Sequence, residues 1–115
     1  MLFPKNRLRD KKTIQALLST GKWIKDRHFT LKFRLPSPSP ASDGRPQAVI
    51  VISAKTEKRA TERNRLRRQI TEALRHFLDE YRVPYQLAVI PRSSALKLSY
   101  GEIRDSLHYL LKKII

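Results

Sequence analysis

The chain has 115 residues and a formal net charge of +15, with 25 Lys and Arg against 10 Asp and Glu, and 40% of it is hydrophobic. That length holds one domain with a modest core. So much like charge opposes compaction until a polyanion neutralises it, which leaves nucleic acid, an anionic membrane surface or an acidic protein as partners. The absence of cysteine excludes disulfide scaffolds, thiolate metal sites and thiol nucleophiles, and no apolar run approaches a membrane span of roughly 20 residues.

The opening, Met1 to Lys5, lacks the apolar stretch of a secretory signal and predicts a cytoplasmic protein. Asp10 is placed to cap a first helix with Ile14, Leu17 and Leu18 as its stripe and Gly21 as its stop, and with Leu2, Phe3 and Leu8 beside it. Trp23 and Ile24 predict a short strand. Phe29, Leu31, Phe33 and Leu35 then alternate with His28, Thr30, Lys32 and Arg34, the pattern of a strand with one apolar and one basic face. Residues 36–46, rich in Pro and Ser, read as a hairpin loop. Ala48 to Ile52 reads as a central strand buried on both faces, and Leu87 to Ile90, ended by Pro91, as a second one. A long helix beginning near Lys58 or Arg59 separates them. Ser99 and Glu102 form a capping box ahead of a last helix with the stripe Ile103, Leu107, Leu110, Leu111 and Ile114, and with Lys112 and Lys113 at its C-terminal end. The order of helix, two or three strands, helix, strand and helix predicts a single α+β domain over residues 1–115, a two-layer sandwich with helices on a small mixed sheet.

Lys55 to Arg68 concentrates seven bases and two acids directly ahead of an apolar stripe. At about 100° per residue, Leu66, Ile70, Ala73, Leu74, Phe77 and Tyr81 gather on one face of the helix, and Arg65, Arg68 and Arg75 lie opposite, where any surface helix carries charge. Arg59 and Arg63 fall on the apolar side one and two turns earlier, with Arg67 at the border. An unpaired buried charge costs several kcal/mol, so these first turns project past the core edge or face an anion. A helix start adds its own N–H donors and partial positive charge, and guanidinium groups held in fixed directions suit phosphate. Glu57 and Glu62 fit the helix dipole and reduce the phosphate signal. Asn64 offers a donor and an acceptor to a base, a ribose hydroxyl or the nearby backbone.

Catalytic chemistry has no visible seat in the chain. A protein nuclease needs clustered carboxylates or a histidine pair, but the ten acids show no motif and His28, His76 and His108 are scattered. With three glycines there is no phosphate-loop or dinucleotide fingerprint. Helix-turn-helix spacing is absent, and the basic helix lacks the Trp-rich apolar face of a membrane binder.

Ile52-Ser53-Ala54-Lys55, Lys58-Arg59-Ala60 and Glu62-Arg63-Asn64-Arg65-Leu66-Arg67-Arg68 together resemble the Arg-Asn-Arg segment of the bacterial ribonuclease P protein component. Asn6-Arg7-Leu8, the helix ending at Gly21, Val89-Ile90-Pro91-Arg92 and Leu107 to Leu111 extend the likeness over most of the chain. The resemblance implies an α-β-β-β-α-β-α fold with a left-handed βαβ crossover, where general rules favour a right-handed one. It implies an accessory subunit with two partners, the catalytic RNA subunit of ribonuclease P and precursor tRNA, and no obligate protein partner or membrane. Mg²⁺ is implied to be held mainly by the RNA subunit and substrate, with none bound by the protein, and hydrolysis to free the tRNA 5′ end. Lys55, Lys58, Arg59, Arg63, Asn64, Arg65, Arg67 and Arg68 match the family's RNA-binding segment. Ile14, Leu18, Phe29, Lys32 and Phe33 are the candidates for a cleft, between the sheet and the first helix, that holds the single-stranded 5′ leader. Phe29 and Phe33 read equally as plain core. Two departures stand out: Ala54 replaces a common lysine, and Ile14 and Leu18 stand where the family has aromatics. A ribosomal or other structural RNA-binding protein is the alternative reading.

Overall fold

The computed structural model describes residues 11–34, 47–53, 55, 57–80 and 86–114. Among them run α1 (Lys11–Thr20), β1 (Lys22–Lys25), β2 (Phe29–Arg34), β3 (Gln47–Ile50), α2 (Ala60–Glu80), β4 (Gln86–Pro91), a short 3₁₀ helix (Ser93–Lys97) and α3 (Tyr100–Lys112). The order is the one predicted. The Asp10 cap, Leu2, Phe3, Leu8, Leu35, the 36–46 loop, Ala54 and Tyr81 lie outside the described residues.

The strands form one sheet in the order β1-β2-β4-β3. β2 pairs antiparallel with β1 and with β4, while β3 runs parallel to β4 and reaches it through α2, a βαβ unit. This order corrects one expectation. The two β-branched runs read alike, but only β4 is central, with Leu87, Ala88 and Val89 at 0% exposure. β3 is an edge strand. Ala48 is buried, whereas Val49, Ile50, Val51 and Ile52 are half-buried. Helices packed on the sheet are what seal the faces of a strand, and they cover the interior strand β4 more fully than β3, which lies at the rim with one neighbour.

The helices divide between the two faces of the sheet. Phe29, Leu31, Ala48, Leu87 and Val89 face α2 and α3 and join Leu66, Ile70, Ala73, Leu74, Phe77, Ile103 and Leu107 in the main core. On the other face α1 sets Leu17 against Ala88, flanked by Ile14, Leu18 and Val49. The two-layer description therefore holds for the α2/α3 side, and α1 adds a partial third layer.

Two local devices fix the ends of the helices. Ser99 Oγ accepts from the Glu102 N–H at 3.2 Å and the Glu102 carboxylate accepts from the Ser99 N–H at 3.1 Å, the predicted capping box. At Gly21 the N–H donates to the Leu17 carbonyl at 3.0 Å as the chain turns from α1 into β1. A Cβ there would sit 2.5 Å from that carbonyl oxygen and 3.2 Å from that of Phe33, so only glycine lets the backbone pass this close.

Candidate nucleic-acid interface

The basic segment is delivered by a turn locked at both ends. The Val51 N–H donates to the Val89 carbonyl at 2.9 Å and continues the parallel ladder. The Glu57 N–H donates to the Ser53 carbonyl at 3.3 Å, closing the turn that carries Lys55. Glu57, with its side chain only 13% exposed, then serves as the local anchor. Its carboxylate accepts from the Arg59 backbone N–H at 2.9 Å and from Arg59 Nε and NH2 at 3.1 Å each. The Arg59 side-chain hydrogen bonds, then the backbone bond, hold the Glu57 carboxyl at about 2, far below its ordinary 4.5. Arg63 donates from NH1 to the Glu57 carbonyl at 3.3 Å, and its N–H makes the first helical bond to the Arg59 carbonyl at 3.1 Å.

This geometry resolves the Arg59 and Arg63 problem. Arg59 precedes the helix, which starts at Ala60, and its side chain is 70% exposed. Arg63 is half-buried and meets a backbone carbonyl on the apolar side of the helix. Two residues on, Arg65 pairs with Glu62 at 2.8 Å and reaches the Leu96 carbonyl of the 3₁₀ helix at 3.4 Å. Arg67 donates to Asn64 Oδ1 at 3.5 Å, so the nearby partner of Asn64 is a side chain. Lys55, Lys58, Arg67 and Arg68 are exposed, and among the described residues no carboxylate pairs with them. Two of the seven bases are thus oriented by acids and the outward cations stay open to solvent. A paired guanidinium keeps further N–H donors for a second acceptor.

The leader-cleft candidates do not come together. Ile14 and Leu18 pack on the α1 side of the sheet, and the Lys32 ammonium donates to the Leu18 carbonyl at the end of α1, where a cation complements the helix dipole. Phe29 has no exposed surface and Phe33 packs against the main core, both on the α2/α3 face. They are core residues and cannot floor a cleft beside α1. The two-residue period of a strand already separates Phe29 from Lys32.

Sequence reasoning missed what else shares the α1 face. Arg34, Gln86 and Gln47 lie in one cross-strand row, with Arg34 Nε donating to Gln86 Oε1 at 3.0 Å and Gln86 Nε2 to Gln47 Oε1 at 3.5 Å. In the next row Trp23 stands opposite Lys32. Strand parity was the available signal, but using it needs the sheet order. Elsewhere His28 Nδ1 and Ser94 Oγ are hydrogen-bonded at 2.9 Å, and His108 packs tilted on Phe77 at 5.3 Å. No group of three or more His, Asp or Glu among the described residues is arranged to hold a metal ion.

The family model for ribonuclease P matches residues 2–115. The chain belongs to the ribonuclease P protein family. It is 38% identical to the ribonuclease P protein component of Synechococcus sp. (strain JA-2-3B'a(2-13)) over 98% of this chain and 84% of that one. To the ribonuclease P protein component of Microcystis aeruginosa it is 34% identical, over 94% of this chain and 89% of the relative. The solved ribonuclease P protein of Thermotoga maritima superposes with a TM-score of 0.80 at 26% identity, covering 95% of this chain and 97% of that one. Membership in the ribonuclease P family ties the chain to tRNA processing and implies an RNA-subunit partner. No helix among the described residues is long and apolar enough to cross a membrane.

Proposed function

We propose that this chain is the electrostatic, RNA-binding half of a ribonucleoprotein that removes the 5′ leader of precursor tRNA, with the bond-breaking done in the RNA subunit. The observation that carries the reading is the anchored basic turn. Glu57 and Glu62 fix Arg59 and Arg65, while Lys55, Lys58, Arg67 and Arg68 are exposed with no carboxylate partner among the described residues. Charge mounted in this way replaces counterions on RNA phosphates and lowers the repulsion between a large RNA and its RNA substrate. Asn64 sits exposed at the centre of the segment and adds neutral hydrogen bonding. On the α1 face, Ile14, Leu18 and Lys32 remain as the side chains bordering the substrate's single strand. Mg²⁺ belongs in this reading to the RNA subunit and substrate, and no step passes through an ion held by the protein. A cytoplasmic site of action goes with it.

Reconstitution tests the proposal. Added to the catalytic RNA of a bacterial ribonuclease P, the chain should restore cleavage of precursor tRNA at low Mg²⁺, and its effect should shrink as salt or Mg²⁺ rises. A protein requirement that stays equal from low to high Mg²⁺ contradicts the electrostatic role. Binding to structured RNA without rescue of processing would favour a structural RNA-binding protein, and cleavage by the RNA-free chain would move the chemistry into the protein.

A further inference from the structure

We propose that Trp23 is a base-stacking platform for the single-stranded RNA next to α1. This deepens the reading given above and rests on it. Trp23 and Tyr109 are the large apolar side chains left most open among the described residues, each at 57% exposure. In the antiparallel β1–β2 register Trp23 lies opposite Lys32 and Ile24 opposite Leu31. Directly opposed residues share a face, so Ile24 joins the main core while Trp23 stands beside Lys32, whose ammonium holds the last turn of α1. α1 covers Ala88 of the central strand, and the indole at the β1 edge stays open.

The surroundings of the indole select the ligand. Lys25, two residues along the same strand and on the same face, is exposed, and its Nζ lies 5.6 Å from the ring centroid. The neighbouring acid, Asp26, is occupied, because its Oδ1 accepts the N–H groups of His28 and Phe29 at 2.8 Å each. An open indole with an ammonium beside it fits a planar base joined to phosphates, since the ring stacks the base and the ammonium meets the backbone. Paired bases in a duplex hide their faces, so the ligand is single-stranded. Ile14 and Leu18 provide no aromatic surface on α1, and among the described residues Trp23 is the open aromatic side chain beside Lys32.

Trp23 is the sole tryptophan in the chain, so its fluorescence reports on the site directly. Titration with a short single-stranded oligoribonucleotide should quench the emission, while inorganic polyphosphate and an RNA duplex, compared at equal phosphate, should not. Equal quenching by polyphosphate, or none by the single strand, overturns the proposal. In the reconstituted particle, Trp23→Ala should cost about 5-fold or more in affinity for precursor tRNA and leave mature tRNA, which lacks the 5′ extension, unaffected. Trp23→Phe should keep most of the affinity, showing that a flat ring is what matters. Tyr109→Ala, which removes an equally exposed ring from α3, should behave like wild type. A Trp23→Ala protein that distinguishes precursor from mature tRNA as well as wild type sinks the assignment while rescue of processing still stands. Loss of rescue by the wild-type chain sinks the underlying reading instead.

Discussion

The two halves of α2 are held in place by different forces. From Leu66 onward, Ile70, Ala73, Leu74 and Phe77 have no exposed surface and pack on the sheet and α3. Ahead of Leu66 the helix has no apolar anchor. Its arginines are oriented by Glu57, by Glu62 and by the carbonyls of Glu57 and Leu96. Burial contributes a large, direction-free stabilisation, while hydrogen bonds to charged groups contribute less and fix direction. A protein that must hold its binding groups at set angles on a basic surface needs both, the buried half as mounting and the polar half as orientation.

The largest expected effect tests the mounting. Phe77→Ala should lower stability by about 3–5 kcal/mol in chemical denaturation, because it leaves a void between α2 and α3. If burial only mounts the helix, the RNA affinity of the molecules that remain folded should match wild type. A fall in that affinity would show that the two halves are not separable.

Arginine substitutions sharpen the contrast at smaller magnitude. Arg68→Ala, at an exposed cation with no carboxylate partner among the described residues, should leave stability within about 0.5 kcal/mol of wild type and lower the salt slope of RNA binding by about one. Arg63→Ala should lower the slope similarly and also loosen the turn, since Arg63 is half-buried on the Glu57 carbonyl. Thermal melts and salt titrations on the two variants separate the effects. Identical behaviour would place both arginines in one class.

The smallest effect concerns pH. The folded-state carboxyl of Glu57 sits at about 2 against an ordinary 4.5. A depressed folded value means that the carboxylate favours the folded state above 4.5 and loses that contribution as pH falls toward about 2. Because the partner, Arg59, is 70% exposed, solvent screens the pair and the change is modest. Glu57→Gln should flatten the acid side of the stability profile over that window. It should also raise affinity for arbitrary RNA while narrowing the preference for the partner RNA, since a negative charge leaves and the orientation of Arg59 goes with it. A variant with unchanged preference would show that Arg59 works as loose charge.

Local chemistry decided much that could be read without coordinates. The Ser99 and Glu102 capping box, the stop at Gly21, the alternation through Phe29 and Leu31, and the stripe from Leu66 to Phe77 are consequences of periods of about 3.6 and 2 residues and of backbone groups that need partners. The basic segment was legible as charge next to an apolar stripe. The face taken by each strand residue was not, because Phe29, Phe33 and Lys32 share one strand and only the placement of α1, α2 and α3 on the two faces tells which side is which.

Residue order by itself determined the elements, the excess of positive charge and the position of the helix that carries it, since these depend on neighbours a few residues apart. Tertiary packing decided the rest. It made β4 central and β3 an edge strand, although their side chains are alike. It also turned Phe29 into core, left Trp23 open at the β1 rim, and brought the Leu96 carbonyl to Arg65. Each of these depends on segments distant in the chain meeting in space, and burial and pairing energies belong to the meeting and not to either segment alone.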